Sequence, residues 1–538
     1  MKFRTLRELG HDERSVTLVD NLNSQSEDNP HLRGTDIVLV PAPSSDVNDP
    51  LRFHTWKKWT ILANTICLTF VCNFWLGGLV PAFYILTQEF NISESQSTGL
   101  LTWPLLAAGL CNFFWVPTAE YLGRRPVFVI CSVMTFACCV WASVATSYSS
   151  LLSSRTIGSF FSSCHEALGP VIVNDIFFLH ERAEKVAFFV LGIYGGNSLG
   201  TVISGFIVQG VGWRWTSGVI AIVAGINMIT IFFCFPETRY NRSLDSVATR
   251  ATAPTHTHTA EDNDVTGKSE TTVEHINTIT DDSAIAPFLT GTKKTYWQEL
   301  SLWSGRANHS FVNHLIRPFP LLAYPSVAWG TLSFSCALAW LIGAASLSSF
   351  IFQVAPYNFG PGVNGLVQLA GLIGNLVGAF FGGHLSDVYV RYVARRNGGQ
   401  FSPEARLVLL CFGAVVCPVG LLMFGIGAER KWHWAVLYVG YGMMSVMPNL
   451  AVIAMTYSVD SYFEVASEAL LVINGVKAVA AFGFSYGFIP WTAEAGYSSV
   501  FGAMAGIWWF SLLLAIPLYI WGPQIRKYST ENMKVILF

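Results

Sequence analysis

Apolar segments of about 20 residues recur along the chain, the length that a helix needs to cross the hydrocarbon core of a bilayer. The first six cover 60–82, 99–119, 127–147, 155–177, 187–209 and 215–235. The next six cover 322–345, 361–383, 406–428, 433–457, 468–490 and 499–522. The pattern predicts an all-α membrane protein with about twelve transmembrane helices in two six-helix bundles.

Polar stretches set the expected domain limits. We expect a disordered tail over 1–58, a six-helix bundle over 59–235, a long linker over 236–320, a second bundle over 321–523 and a tail over 524–538. The linker is rich in Thr, Ser, His and Asp, a composition typical of disorder. The first tail lacks the apolar core of a secretory signal, so we expect the first span to direct the chain to the membrane.

Composition agrees with a membrane protein. Hydrophobic residues make up 52% of the chain and charged residues only 12%, whereas soluble domains carry about 25% charged residues. A net charge of −2 provides no attraction to nucleic acid. The 11 cysteines lack metal-ligand spacing, so we expect reduced, packed thiols and no metal site.

Lys and Arg concentrate in the loops on one side of the predicted spans, which predicts that both termini and the linker are cytoplasmic. We expect a multi-pass protein of the plasma membrane that contacts lipid. The sequon Asn91-Ile92-Ser93 then lies outside, where Asn91 is a candidate for glycosylation.

A short charged run occurs twice, each time between two apolar segments. Glu120 precedes Arg124 by four residues, and Asp387 precedes Arg391 by four. An acid and an Arg at this spacing can form a carboxylate–guanidinium pair where two helices turn. Two copies indicate two related halves, which is typical of secondary transporters.

Ionisable residues inside predicted spans are costly and therefore candidates for function. Arg155 and Glu166 lie eleven residues apart in the fourth span, so on a regular helix they share a face within about 20° and differ by about 16 Å in height. We expect this stripe to line a central cavity, with a structural interhelical contact as the alternative. A carboxylate such as Glu166 can hold and release a proton in such a cavity, or attract a cationic substrate.

Other candidates at membrane depth leave two interpretations open. His165 points about 100° away from Glu166 and is typical of an interhelical hydrogen bond. Lys477 lies one turn after Asn474. Its ammonium either belongs to the cavity or the gate, or extends to the membrane interface by snorkelling. Asp460, Glu464 and Glu468 are possible partners for Lys477 or Arg406. Aromatic and amide side chains suit flat or cationic ligands, with packing as the alternative; these are Asn73, Trp75, Tyr194, Asn197, Trp340 and Tyr457.

The sequence carries no complete nucleotide-binding motif. Gly267-Lys268-Ser269 resembles the end of a phosphate-binding loop, but Asp262 stands where the first glycine belongs. No catalytic triad is recognisable. We therefore expect no enzyme activity and no cofactor, and coupling to an ion gradient that acts in the region of Glu166.

The motifs resemble the major facilitator superfamily, and in particular the fungal branch of twelve-span drug:proton antiporters. The run from Val116 through Gly123, Arg124 and Arg125 resembles the motif between the second and third spans, with Val116 in place of its opening glycine. The second copy, from Gly383, has Val390 in place of the later glycine. The resemblance implies that both clusters fasten a cytoplasmic gate.

The resemblance extends to the fourth and fifth spans. Arg155-Thr156-Ile157-Gly158 is similar to the fourth-span motif, whose buried Arg is tied to proton coupling in the family. Asp175 and Arg182 at the end of that span also fit. Gly192–Gly205 resembles the antiporter motif of the fifth span, with Asn197 at the position of its central proline.

These observations predict a major-facilitator fold around a cavity that alternates between the two faces of the membrane. We expect a monomer that exports a small organic compound, such as a drug, toxin or secondary metabolite, in exchange for protons. The alternative is proton-coupled uptake of a nitrogenous nutrient or polyamine. A non-transporting nutrient sensor is disfavoured because both tails are short.

Overall fold

The computed structural model describes residues 2–5, 46, 48–239, 294–301, 315–396, 402–462, 465–532 and 534–537. Most of the predicted tail over 1–58 and linker over 236–320 lies outside these residues. The predicted domain limits therefore stay predictions.

Helices account for nearly all of residues 55–234, the N-terminal bundle. They are α1 (Thr55–Gly77), α2 (Phe83–Phe90), α3 (Glu94–Leu122), α4 (Arg124–Ser143), α5 (Tyr148–Ser162), α6 (Cys164–Ile176), α7 (Leu179–Gly210) and α8 (Trp213–Cys234). A 3₁₀ turn, Val80–Ala82, connects α1 to α2. A short helix, α9 (Tyr296–Glu299), follows in the linker.

Residues 325–532 form the C-terminal bundle. Its helices are α10 (Pro325–Phe352), α11 (Pro361–Gly365), α12 (Val367–Ala379), α13 (Ser386–Arg396), α14 (Leu410–Glu429), α15 (Trp434–Met444), α16 (Met447–Ser461), α17 (Ala466–Ala495), α18 (Tyr497–Leu513) and α19 (Ala515–Asn532). A π-helical turn, Phe380–Leu385, separates α12 from α13. The 3₁₀ helices Pro50–Arg52, Phe319–Ala323 and Pro403–Leu409 precede spans.

Among the described residues, eleven helical stretches are long and apolar enough to cross a membrane. The predicted fourth span is divided into α5 and α6, which meet at Ser163. Ser163 keeps helical dihedral angles (φ −69°, ψ −16°), and Glu166 N donates to Ser163 O at 3.1 Å. The interruption is therefore a local change of hydrogen bonding. Together with these two helices, the long stretches confirm the predicted all-α membrane fold of two helical bundles.

The two bundles meet along two lines: α3 packs along α17, and α7 packs along α11 and α12. Small residues allow the closest approaches between helices. A Cβ added to Gly109 of α3 would lie 2.5 Å from the Cβ of Ala478 in α17. Within the C-terminal bundle, a Cβ on Gly374 would lie 1.9 Å from the carbonyl oxygen of Gly442.

The chain ends pair with each other. β1 (Lys2–Thr5) and β2 (Lys534–Leu537) form an antiparallel two-stranded sheet in which Lys2 faces Leu537. We call the end of the molecule that carries Gly123 and Asp387 the terminal end, and the opposite end, with the loops at 78–93 and 353–360, the far end.

Candidate functional site

An ion pair joins the two bundles within their membrane-spanning helices. Lys477 Nζ in α17 donates to Glu166 Oε1 in α6 at 3.0 Å, and the Glu166 side chain keeps 37% of its exposure against 10% for Lys477. The Lys477 ammonium also lies 4.2 Å from the ring centre of Phe334 in α10. The carboxylate is thus accessible and the ammonium is buried. The sequence offered Asp460, Glu464 and Glu468 as partners for Lys477. In the structure Lys477 instead binds an acid of the opposite bundle.

The interruption at Ser163 changes the backbone hydrogen bonding beside Glu166. Ser163 N donates to Ser159 O, and Glu166 N donates to Ser163 O, both at 3.1 Å. Glu166 therefore lies in the first turn of α6 with its own N–H paired, and the countercharge of its carboxylate comes from Lys477.

His165 is held between helices as a neutral imidazole. Its Nδ1 contacts the Ser162 carbonyl oxygen, and its Nε2 lies 3.4 Å from Asn73 Nδ2. A carbonyl only accepts and an amide NH₂ only donates, so Nδ1 carries the proton and Nε2 accepts. Asn73 Nδ2 also donates to Thr69 O at 2.9 Å.

Arg155 lies inside the N-terminal bundle, with 1% of its surface exposed. Its Nε donates to Leu100 O and its Nη2 to Leu76 O, both at 2.8 Å. The guanidinium carbon lies 5.0 Å from the ring centre of Trp75. The sequence left two roles for Arg155, lining a central cavity or making a structural contact between helices. The structure shows the contact between helices, because backbone carbonyl groups of α1 and α3 accept hydrogen bonds from the guanidinium. Its role in proton coupling stays a prediction.

A second polar contact joins the bundles on the side of α7. The Tyr194 hydroxyl donates to Asn449 Oδ1 in α16, and Asn449 Nδ2 donates to Asn375 Oδ1 in α12 at 3.0 Å. Sequence reasoning found Tyr194 but missed both asparagines. An amide side chain inside an apolar span was the signal that would have found them.

The remaining predicted cavity residues divide by burial. Trp75 and Trp340 are 0% and 1% exposed, and Trp340 packs edge-to-face on Phe484 at 5.3 Å. Tyr457 is also buried. Asn197 and Asn474 are half-buried. Among the predicted aromatic and amide residues, Asn73, Tyr194, Asn197 and Asn474 combine a polar group with partial exposure.

At the terminal end, the first charged run belongs to a larger cluster. The Arg124 guanidinium pairs with the Asp175 carboxylate. The backbone N–H groups of Arg124 and Arg125 donate to Glu237 at 3.0 and 3.3 Å. Gly123 adopts φ 111°, which suits glycine. Glu237 therefore caps the start of α4, a contact that sequence reasoning missed.

Three further gate candidates lie at the same end, and the structure describes the side chains of two of them. The Arg125 guanidinium donates to Phe235 O at 2.9 Å and to Phe232 O at 2.8 Å. Glu120 is exposed. The Arg182 side chain lies outside the described part of the chain.

The second charged run pairs differently from the prediction. Arg391 Nε donates to the backbone oxygen of Asp387 at 3.2 Å, and the Asp387 carboxylate accepts from Arg406 at 2.6 Å. Arg406 also bonds Asp460 at 2.9 Å, as predicted. The expected carboxylate–guanidinium pair within the run is therefore wrong here, because Arg406 supplies a buried cation from the next span. Glu468 pairs instead with Arg317 at 3.0 Å, and Glu464 lies outside the described residues.

No group of three or more His, Cys, Asp or Glu side chains that could hold a metal ion occurs among the described residues. The features that remain are two related helical bundles, a charged pair between them and charged clusters at one end. They define a multi-pass transporter fold.

Comparison with known proteins gives the family. The model of the Major Facilitator Superfamily matches residues 65–485, and the chain belongs to that superfamily. It is similar to an uncharacterized MFS-type transporter of Schizosaccharomyces pombe, with 25% identity over 96% of this chain and 93% of that protein. It is also similar to the efflux pump FUBT of Fusarium oxysporum, with 24% identity over 91% of this chain and 77% of that protein.

Solved structures agree on the fold. The xylose transporter XylE from E. coli, in a partially occluded inward-open conformation, aligns with a TM-score of 0.57 and 13% identity. The alignment covers 86% of this chain and 99% of that chain.

Proposed function

We propose that the protein is a proton-coupled transporter that exports a small organic compound, and that Glu166 is the site at which proton and substrate exchange. The observation that carries this proposal is the accessible Glu166 carboxylate, whose countercharge comes from the opposite bundle. Transporters of this architecture work by moving one bundle against the other around a central site. A charge pair across that interface changes its environment during each cycle.

Export is supported by the efflux-pump name of a relative that aligns over most of the chain. The distribution of Lys and Arg supports cytoplasmic termini and linker, with the far end outside the cell. We place the protein in the plasma membrane as a monomer surrounded by lipid, without a cofactor beyond the proton gradient.

The test is flux in proteoliposomes that carry an imposed pH gradient. Replacing Glu166 with Gln removes the carboxylate charge at nearly constant shape, so we expect proton-driven flux to fall to the level of empty liposomes. Glu94→Gln, at the far-end start of α3, is the matched control and should keep wild-type flux. Wild-type flux in Glu166→Gln would remove Glu166 from the mechanism.

A second candidate function is uptake of a nitrogenous nutrient such as a polyamine. The observation that favours it is the group that Glu166 holds: a primary ammonium over an aromatic ring, the same group that a polyamine presents. Assays of a deletion strain separate the two functions. Loss of an exporter should raise accumulation of its compound and sensitivity to it, and loss of an importer should lower both.

A further inference from the structure

The central pair contains one negative and one positive group whose surroundings differ. The Glu166 side chain is 37% exposed and the Lys477 side chain 10%. A new ligand therefore reaches the carboxylate more easily than the ammonium. The Phe334 ring lies over the Lys477 ammonium, with its centre 4.2 Å from Nζ.

We propose that the substrate is an organic cation, and that Lys477 carries the exchanged proton. This inference rests on the proposed function, the exchange of proton and substrate at the Glu166 site, and it assigns the proton of that exchange to Lys477, the partner of Glu166, while Glu166 binds the substrate. The incoming cation takes the place of the Lys477 ammonium on the Glu166 carboxylate. Lys477 then loses one proton to water and remains as a neutral amine.

Charge balance gives the physical reason. The empty site holds one carboxylate and one ammonium, so its net charge is zero. A monovalent cation bound to Glu166 would raise the net charge to plus one if Lys477 kept its proton. An uncompensated charge in a buried site is costly, and a buried lysine avoids that cost by becoming neutral. One cation then enters for each proton released, and the site stays neutral throughout the exchange.

The burial of the two groups decides which of them gives up charge. The Glu166 side chain is 37% exposed, and in the loaded site the incoming cation supplies an opposite charge, which favours the ionised carboxylate. It therefore remains ionised. Lys477, once displaced, keeps the Phe334 ring 4.2 Å from its ammonium, and a cation–π contact stabilises a buried charge less than an opposite charge does.

Other titratable groups near this site are neutral, distant or already paired within the described residues. His165 beside Glu166 is held neutral by Ser162 and Asn73. On helices packed against α17, Asp460 binds Arg406 and Glu468, on α17 itself, binds Arg317. The rest are uncharged side chains or lie near helix ends; they are Glu94, Cys111, Glu120, Tyr121, Tyr324, Cys336, Tyr457, Tyr462, Tyr486, Glu494 and Tyr497.

The test uses the full-length protein in lipid nanodiscs, in weakly buffered solution at neutral pH. Tetraphenylphosphonium is a suitable probe because it is a permanent cation with no proton of its own. Tetraphenylborate has the same shape and the opposite charge, and empty nanodiscs correct for partitioning. Binding is measured by equilibrium dialysis and proton release by a pH indicator. We expect the cation to bind, about one proton to be released for each cation bound, and tetraphenylborate not to compete.

Two substitutions separate charge from packing. Lys477→Arg keeps a permanent positive charge, so we expect at least a tenfold loss of cation affinity and no proton release. Lys477→Gln is neutral and has no ammonium to displace, so we expect cation binding at least as tight as in wild type and no proton release. Lys58→Arg and Lys58→Gln are matched controls, because Lys58 is as buried as Lys477, at 8% exposed, and lies outside the site.

Each outcome decides the inference. Failure of tetraphenylphosphonium to bind, binding without proton release, or Lys477→Arg behaving as wild type would each overturn it. A folded Lys477→Gln protein that loses binding would also overturn it, and thermal unfolding of that variant reports folding. If the protein transports a neutral or anionic compound with protons and this flux depends on Glu166, the proposed function stands, and the inference of a cationic substrate and a proton on Lys477 is refuted. If flux does not depend on Glu166, both the proposed function and this inference are refuted.

Discussion

The Arg406 guanidinium contacts the Asp387 carboxylate at 2.6 Å, and through its Nε it also contacts Asp460 at 2.9 Å. One cation therefore ties the start of α13 to the end of α16. Its Nη1 lies 3.3 Å from the Ser386 hydroxyl as well. Without Arg406, two carboxylates at the terminal end would face each other with no countercharge between them.

Replacing Arg406 with Gln should lower the free energy of unfolding by about 1 kcal/mol, the upper range for partly exposed pairs. Asp460→Asn should cost more than Asp387→Asn, because the Asp460 side chain is 21% exposed and Asp387 is 60% exposed. Thermal unfolding in detergent ranks the stability of the wild type, Arg406→Gln, Asp460→Asn and Asp387→Asn. Arg430→Gln, exposed at the far end, is the control. An Asp387→Asn protein less stable than Asp460→Asn would contradict this order.

The gate role of the two charged runs predicts an effect on rate. Asp387→Asn and Glu120→Gln should slow turnover more than they weaken substrate binding, because gate contacts form and break during the cycle instead of touching substrate. Initial rates over a range of substrate concentrations give kcat and KM separately. Glu494→Gln, exposed at the far end, should leave both unchanged. Unchanged kcat in both gate variants would argue against the role.

Arg155 should matter for stability apart from any role in coupling. Arg155→Ala leaves the carbonyl groups of Leu100 and Leu76 buried without their donor and removes the contact with Trp75. We expect a loss of about 3 kcal/mol in the free energy of unfolding. Lys at this position restores one donor group and should recover part of it. Denaturant titration checks both values, and equal stability of all three proteins would exclude the interhelical role.

Gly374 sets the distance between α12 and α15. A Cβ at this position would lie 1.9 Å from the carbonyl oxygen of Gly442, so the two backbones would have to separate. Gly374→Ala should cost about 1 to 3 kcal/mol. Gly502→Ala is the matched control, since nothing lies within 4 Å of the added carbon. The two variants should unfold at clearly different temperatures; the same midpoint would refute the close contact.

Asn91 remains a predicted glycosylation site, and its setting allows a clean test. It is exposed at the end of α2, while Ser93 caps α3 by accepting from Gln96 N at 3.2 Å. Asn91→Gln should increase electrophoretic mobility as enzymatic deglycosylation does, and Ser93→Thr should leave the glycan in place. Asn358→Gln, a far-end residue with a similar positive φ and no sequon, should have no effect. Identical mobility of all four proteins would show that Asn91 is unoccupied.

The bundles and the number of crossings follow from the sequence because the bilayer imposes one length on every apolar segment. The division of the fourth span at Ser163 does not, because neither Gly nor Pro marks residues 162–165. Helical periodicity assigns faces within one helix only. It identified Glu166 and Lys477 as costly groups but not as partners, since 311 residues separate them. Arg406 and Asp387 were likewise paired by the packing of different helices.

The polar residues of the fourth span have a practical consequence for mapping the protein in cells. A survey by length and apolarity finds eleven helical stretches in the described residues and leaves out residues 148–176, the stretch formed by α5 and α6. Eleven is an odd number and would put the two chain ends in different compartments. The pairing of Lys2–Thr5 with Lys534–Leu537 requires both ends on one side, so α5 and α6 together must supply the missing crossing. Fluorescent reporters fused to either end should therefore respond to the same compartment.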